Sequence, residues 1–334
     1  MQKNLNIEIL RTFAMLGVIF IHCSMSFFYN DTIMKNHHLE WSIINFYYSL
    51  ARFCVPSFFL ITAYLYFVGN SKVNTYKKFK RIFIPYFIWS VIYWWINDKH
   101  TLVSFFTKIF CDISSYHLWF MVAFLGYAIV LPLIMAFSKT TQKEAYKPII
   151  FFIFLFSIIL PSLYELLDNL GIQIRHLSGF DFEFSQYYLY ALVIPFITRK
   201  INRLLSLFLY FLCIILTACI NIKFAYQIGR PYEYWFSFTA LPVFVSSCLL
   251  FNLFINLDFS FIEKKYTTLL YILGECTFGI YLCHVLVIQI LGNYSLLFHI
   301  NTIIDPIVNT LLVFTVSFFV TVICRKIKYV KEAF

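Results

Sequence analysis

Residues 8–30 read EILRTFAMLGVIFIHCSMSFFYN, and the fold turns on how this stretch is taken. Its charges stand at one end, Glu8 and Arg11, and His22 interrupts a long apolar run. A hydrocarbon core of ~30 Å needs ~20 apolar residues of helix, so this stretch is expected to cross a membrane. No small-residue cleavage site follows it, which argues for a retained span and against a cleaved leader. Arg11 and His22 lie ~16 Å apart along such a helix, which puts His22 near or beyond the bilayer midplane. An ionisable group at that depth is costly and belongs in a wet cavity or in chemistry. A neutral histidine bonded to a neighbouring helix, with Arg11 marking the interface, fits the pair equally well.

The rest of the 334-residue chain has the same character, with 61% hydrophobic, 22% aromatic and only 13% charged residues. So few charges do not cover a soluble protein of this size, and the expected class is an all-α polytopic membrane protein with no soluble domain. Ten hydrophobic segments are expected at 8–30, 42–68, 82–97, 117–137, 148–167, 184–198, 204–222, 234–256, 267–291 and 303–324. The third and sixth are the shortest, and the run 101–110 is too short to span and is expected to lie along the interface or re-enter. The whole of 1–334 reads as one transmembrane domain. Nine cysteines without C-x-x-C spacing point to packing and not to a disulfide framework or a metal site.

The net charge of +10 would suggest nucleic acid in a soluble domain, but no nucleic-acid module fits, and here the charge is a topology signal. Nineteen of the 26 Lys and Arg fall at the N-terminal end, in alternate loops and in the C-terminal tail. The intervening loops hold Lys35, Lys99, Lys108, Arg175, Lys223 and Arg230, together with the acids Asp31, Glu40, Asp98, Asp112, Asp181, Glu183 and Glu233. That alternation puts both termini in the cytoplasm and favours an even number of spans.

Polar groups at depth carry the functional signal. Arg52 falls near the midplane of the second segment, just before Val55-Pro56-Ser57-Phe58-Phe59, where proline frees backbone groups and a local break is expected. A carboxylate partner for it within the spans would be Glu275. The loop before the third segment carries Lys72, Lys77, Lys78, Lys80 and Arg81. Such a cluster enforces topology, holds anionic lipid heads, or binds a phosphate-rich donor. Tyr116-His117-Leu118-Trp119-Phe120 opens the fourth segment on the outside and suits an aromatic belt or a sugar-binding rim. Gly279-Ile280-Tyr281-Leu282-Cys283-His284 places a third histidine in the outer half of the ninth segment. His22, His117 and His284 thus share one side while the cations face the other, which suggests a path across the membrane.

Taken in order, Arg11-x10-His22, Val55–Phe59, the phrase Lys77 to Tyr86, His117–Phe120 and Gly279–His284 resemble the acyltransferase family 3 membrane proteins. The resemblance runs over nearly the whole chain and is weakest through 140–265. It implies transfer of an acyl group, usually acetyl from cytosolic acetyl-CoA, to a hydroxyl of an extracytoplasmic carbohydrate at a bacterial cytoplasmic membrane. It also implies a coenzyme A thioester inside, a surface glycan or lipid-linked sugar outside, and no metal. On matching positions Arg11 and His22 become the pair needed for activity, and Lys77, Lys78, Lys80 and Arg81 become the donor-binding cluster. From their depth, Arg52 or a backbone N–H is expected to stabilise the oxyanion, and His117, Trp119, Tyr281 and His284 are expected on the acceptor side. Two departures stand out: Lys78-x-x-Arg81 replaces the family's usual Arg-x-x-Arg, losing one bidentate fork, and the chain stops after its last span, as in the stand-alone branch without a fused esterase-like domain. That branch includes proteins acting on biofilm polysaccharide and enterobacterial common antigen. His22 then serves as general base or as transient acyl carrier. A transporter or flippase that exports a polysaccharide or lipid-linked sugar unmodified is the alternative, although no pair of matching broken segments marks an inverted repeat.

Overall fold

A computed structural model describes residues 4–69, 75–98, 100–140, 143–172, 187–327 and 333–334. Lys72, Lys99, Arg175, Asp181 and Glu183, and the first three residues of the expected sixth segment, lie outside the described residues. Among the described residues every regular element is helical.

Helix α1 (Leu5–Phe28) is the hub. Asn4 caps its start by accepting the Asn6 N–H, and Leu10, Ala14, Met15, Ile19 and Phe28 are fully buried. After α2 (Asp31–Asn36) come α3 (His38–Ala51) and α4 (Cys54–Val68), one path interrupted at Arg52 and Phe53. The interruption falls where the proline rule places it, because Pro56 has no N–H to return to the Arg52 carbonyl. Small residues let this path approach α1: a Cβ on Gly17 would stand 3.0 Å from the Cβ of Cys54.

Helix α5 (Thr75–Asn97) is followed by α6 (Leu102–Phe106), a π-helical turn Thr107–Cys111 and a 3₁₀ turn Tyr116–Leu118, which leads into α7 (Trp119–Thr140). Helix α8 (Lys143–Phe154) continues through a π-helical turn Leu155–Ile159 into α9 (Leu160–Asn169). Short helices α10 (Tyr188–Leu192) and α11 (Ile194–Ile197) precede α12 (Arg203–Ile228), a 3₁₀ turn Tyr234–Phe236, α13 (Leu241–Asn256), α14 (Lys264–Asn293) and α15 (Asp305–Lys326). Helices α3, α4, α13, α14 and α15 all pack on α1.

Eight helical stretches among the described residues are long and apolar enough to cross a membrane. The chain is a multi-pass membrane protein. The two hydrophobic segments outside the eight are α5 and α10–α11, the pair that was shortest on paper. One sequence expectation is corrected here. Lys77, Lys78, Lys80 and Arg81 belong to the first turns of α5 and not to a loop, because helical structure starts at Thr75 and Pro85 sits inside the helix. Lys78 and Arg81, three apart, therefore share a helix face.

Side-chain ties collect the basic helix ends together. The Asn6 amide donates to the carbonyls of Phe254 (2.8 Å) and Leu257 (2.7 Å), so α1 begins where α13 ends, and Arg203 at the start of α12 reaches the Asn256 carbonyl. This is the basic end of the bundle. At the opposite end the Trp41 indole donates to the Phe28 carbonyl at 2.9 Å and ties α3 to the exit of α1.

Candidate functional site

Three histidines from three elements meet inside the bundle. His22 comes from α1, His117 from the 3₁₀ turn before α7, and His284 from α14. The ring centroids of His22 and His284 are 5.2 Å apart, and those of His284 and His117 5.1 Å. His117 and His284 are 1% and 0% exposed, whereas His22 is only partly buried and has the ring of Tyr116, a residue 43% exposed, 5.0 Å away. His284 Nδ1 lies 2.6 Å from the Tyr281 carbonyl oxygen. A carbonyl only accepts, so Nδ1 carries the proton and Nε2 the lone pair. His117 Nδ1 is paired with the Ser115 hydroxyl at 3.0 Å. His22 Nδ1, His117 Nε2 and His284 Nε2 are buried and have no hydrogen-bond partner among the described residues. The described residues form no group of three or more His, Cys, Asp or Glu that could hold a metal ion. What the cluster offers is proton transfer at imidazoles.

Tyrosines fix these rings. The Tyr48 hydroxyl donates to the Ile21 carbonyl at 3.1 Å, one residue before His22. The Tyr93 hydroxyl donates to the Leu282 carbonyl at 2.9 Å and accepts the Leu286 N–H at 3.1 Å, so it bridges one rung of α14 around His284. The Tyr93 ring also stands edge-on to His117, 4.9 Å away. The Tyr281 hydroxyl donates to the His117 carbonyl.

A cavity of about 480 Å³ enters from the basic end. Arg11, Lys78, Arg81 and Arg325 line it together with Glu275, and Phe58, Phe124 and Phe278 add aromatic wall. Phe120 and Tyr281 also line it; Tyr281 is seven residues, ~10 Å, further along α14 than Gly274, which marks the inward direction. A second cavity of about 440 Å³ shares Arg81, Glu275, Phe278 and Arg325 and extends to Lys80 and Phe334; Lys77 lines neither. The Arg11 guanidinium donates to both Glu8 carboxylate oxygens, at 2.8 and 3.0 Å. The Lys78 ammonium sits 3.4 Å above the Tyr66 ring centroid, and Arg325 donates to the Cys276 sulfur at 3.4 Å. Four cations around one mouth suit a polyanion, and the guanidinium forks suit phosphate oxygens in particular.

Arg52 is placed away from Glu275, which lines the basic cavity. Its guanidinium is 4.6 Å from the Phe236 ring centroid, 5.1 Å from that of Tyr48 and 5.9 Å from that of Phe238. Cation–π contact thus replaces the ion pair. Trp119 stacks on Phe238 at 5.8 Å, so it joins the Arg52 group and not the imidazoles. Of the sequence-derived residues, then, His22, His117, His284 and Tyr281 come together, Arg11, Lys78, Lys80 and Arg81 gather at the basic cavities, and Arg52 and Trp119 form a third group.

Residues 4–326 match the family model of the acyltransferase 3 domain, described as an acyltransferase domain. The chain belongs to the acyltransferase 3 family. No curated protein and no solved structure gave a match. Within this acyltransferase, Tyr93, Ser115, Arg325, Phe236 and Phe238 also stand at the candidate site, and motif reading passes over them. Arg325 counted only as a tail charge, and Tyr93 is one aromatic among many in α5. Both acquire a role from the residues they meet across the bundle.

Proposed function

We propose that this acyltransferase moves an acyl group, acetyl from cytosolic acetyl-CoA, to a hydroxyl of an extracytoplasmic surface carbohydrate, free or lipid-linked, at a bacterial cytoplasmic membrane. The observation that carries the reading is the cavity that begins at Arg11, Lys78, Arg81 and Arg325 and ends at Tyr281, against the histidine cluster. The basic end faces the cytosol, in keeping with the charge bias of the loops. Its cations hold the nucleotide and pyrophosphate of coenzyme A, and the uncharged pantetheine arm follows the phenylalanine-lined wall inward.

His22 is the general base. His284 stands with its ring 5.2 Å from that of His22 and with Nε2 fixed as an acceptor by its own Nδ1–H bond, and the His22 nitrogen that meets the substrate is Nε2. That nitrogen removes the proton of the incoming hydroxyl and returns it to the departing thiolate. Arg52 stabilises the charge that develops on the acyl oxygen, an effect of about 3 kcal/mol when well aimed. Tyr116 and Trp119 present aromatic faces to the sugar from the opposite end.

The test is transfer of labelled acetyl from acetyl-CoA into surface glycan in membranes of cells making His22→Ala at the wild-type level. Transfer is expected to fall by about a hundredfold or more. Retention of most of the activity would take His22 out of the chemistry. In the same assay Arg81→Ala is expected to raise the KM for acetyl-CoA with less effect at saturation.

A further inference from the structure

We propose that Tyr281, backed by Phe120, is a movable partition between the donor cavity and the imidazole cluster that makes this acyltransferase choose an alcohol over water. The proposal rests on the donor reading of the basic cavity. Tyr281 belongs to both compartments: it lines the cavity, and its ring centroid lies 5.6 Å from that of His117 and 5.7 Å from that of His284. Phe120, which also lines the cavity, meets it edge-on at 5.4 Å. Both rings are buried, at 5% and 7% exposure, so the route from cavity to histidines passes two aromatic rings.

The polar tether of the partition is light, and the rest of its hold is ring packing. Among the described residues the Tyr281 side chain has one hydrogen bond, to the His117 carbonyl, and a single neutral bond contributes about 1 kcal/mol net. The backbone beneath it is firmly tied, because Tyr93 bridges Leu282 and Leu286 on the same helix. The side chain therefore turns while α14 stays in place. The accepting carbonyl belongs to the 3₁₀ turn Tyr116–Leu118, whose first residue is the exposed ring beside His22. An acceptor that presses on Tyr116 moves the turn that holds Tyr281, so acceptor arrival on one side releases the partition on the other.

The chemical need is plain. His22 is only partly buried, and at its exposed edge water greatly outnumbers any glycan hydroxyl. If the thioester stood open to that edge, His22 would take a proton from water, the water oxygen would bond to the acyl carbon, the carbon–sulfur bond would break, and the proton would end on the sulfur. Free acid and free coenzyme A would form with no glycan modified. The closed partition suppresses that leak.

The experiment follows free coenzyme A by chromatography when the purified full-length protein in lipid nanodiscs is given acetyl-CoA and no acceptor, with acetyl-CoA binding measured in parallel by calorimetry. The wild type is expected to release little. Tyr281→Ala is expected to release at least tenfold more, and the double variant with His22→Ala to return to the wild-type level. Phe120→Ala opens the other half of the partition and is expected to leak as well, which keeps the test alive should Tyr281→Ala fail to assemble. A variant that binds acetyl-CoA as the wild type does, yet leaks no faster, overturns the partition, as does a wild type that already leaks at the rate of the variants. A wild type that does not bind acetyl-CoA overturns the donor reading itself, and the partition with it.

Discussion

At Gly274 a hydrogen is all that fits. A Cβ there would lie 2.8 Å from the Glu8 Cβ and would overlap the Glu8 carboxylate, the same carboxylate that receives both bonds from Arg11. A carboxylate alone would swing aside, but a Cβ moves only with its backbone, so α1 and α14 would have to separate. Gly274→Ala is expected to destabilise the protein by about 1–3 kcal/mol through overpacking. It is also expected to raise the KM for acetyl-CoA, because Arg11 loses its fixed position at the cavity mouth. A thermal melt in detergent together with donor kinetics checks both parts, and an unchanged melting point would show that the two helices are not in register as described. At this scale the sequence was informative wherever depth alone mattered. His22 and Arg52 were marked by being ionisable inside apolar runs. Arg11 was marked too, yet its place at the basic cavity, far from His22, follows from its neighbours Glu8 and Gly274, and no spacing within α1 carries that.

Helix α5 shows how an element is read correctly in part and missed in part. Its basic first turns look like a loop when judged by charge, and its Trp- and Tyr-rich remainder, expected as the short third segment 82–97, is not among the eight helices long and apolar enough to cross a membrane. Twelve residues separate Arg81 at the cavity mouth from Tyr93 beside His117, ~18 Å of helix, so α5 links the basic end to the imidazoles. The decisive contact, a hydroxyl bridging one rung of another helix, depends on how α5 and α14 dock and leaves no periodic trace in either. Tyr93→Phe removes only that hydroxyl. Transfer is expected to fall roughly tenfold to a hundredfold through loosened placement of His284, with the KM for acetyl-CoA unchanged and the fold intact. A variant that instead raises KM and leaves the maximal rate alone would assign Tyr93 to donor binding. The break before α4 was legible for the opposite reason, since Pro56 acts on its own backbone and needs no partner.

Over the whole molecule the chemistry is organised by two ends, and the orientation of those ends in the bilayer decides whether the donor reading holds. The cations that line the basic cavity come from α1, α5 and α15, elements far apart in the chain, and they converge because each meets the same interface at its basic terminus. Helix α7 starts beside His117 and ends at exposed Lys139, so Lys139 marks the basic end; Cys111, exposed in the turn after α6, marks the other. All nine cysteines are free, which makes single-cysteine variants a mild change. A membrane-impermeant maleimide is expected to label a variant that retains only Cys111 in intact cells. A cysteine-free variant carrying Lys139→Cys is expected to be labelled only after the membrane is permeabilised. The reverse pattern would put Arg11, Lys78, Arg81 and Arg325 outside the cell, where a cytosolic thioester never reaches them, and the path from cation-lined mouth to histidine would have to be given to a different substrate.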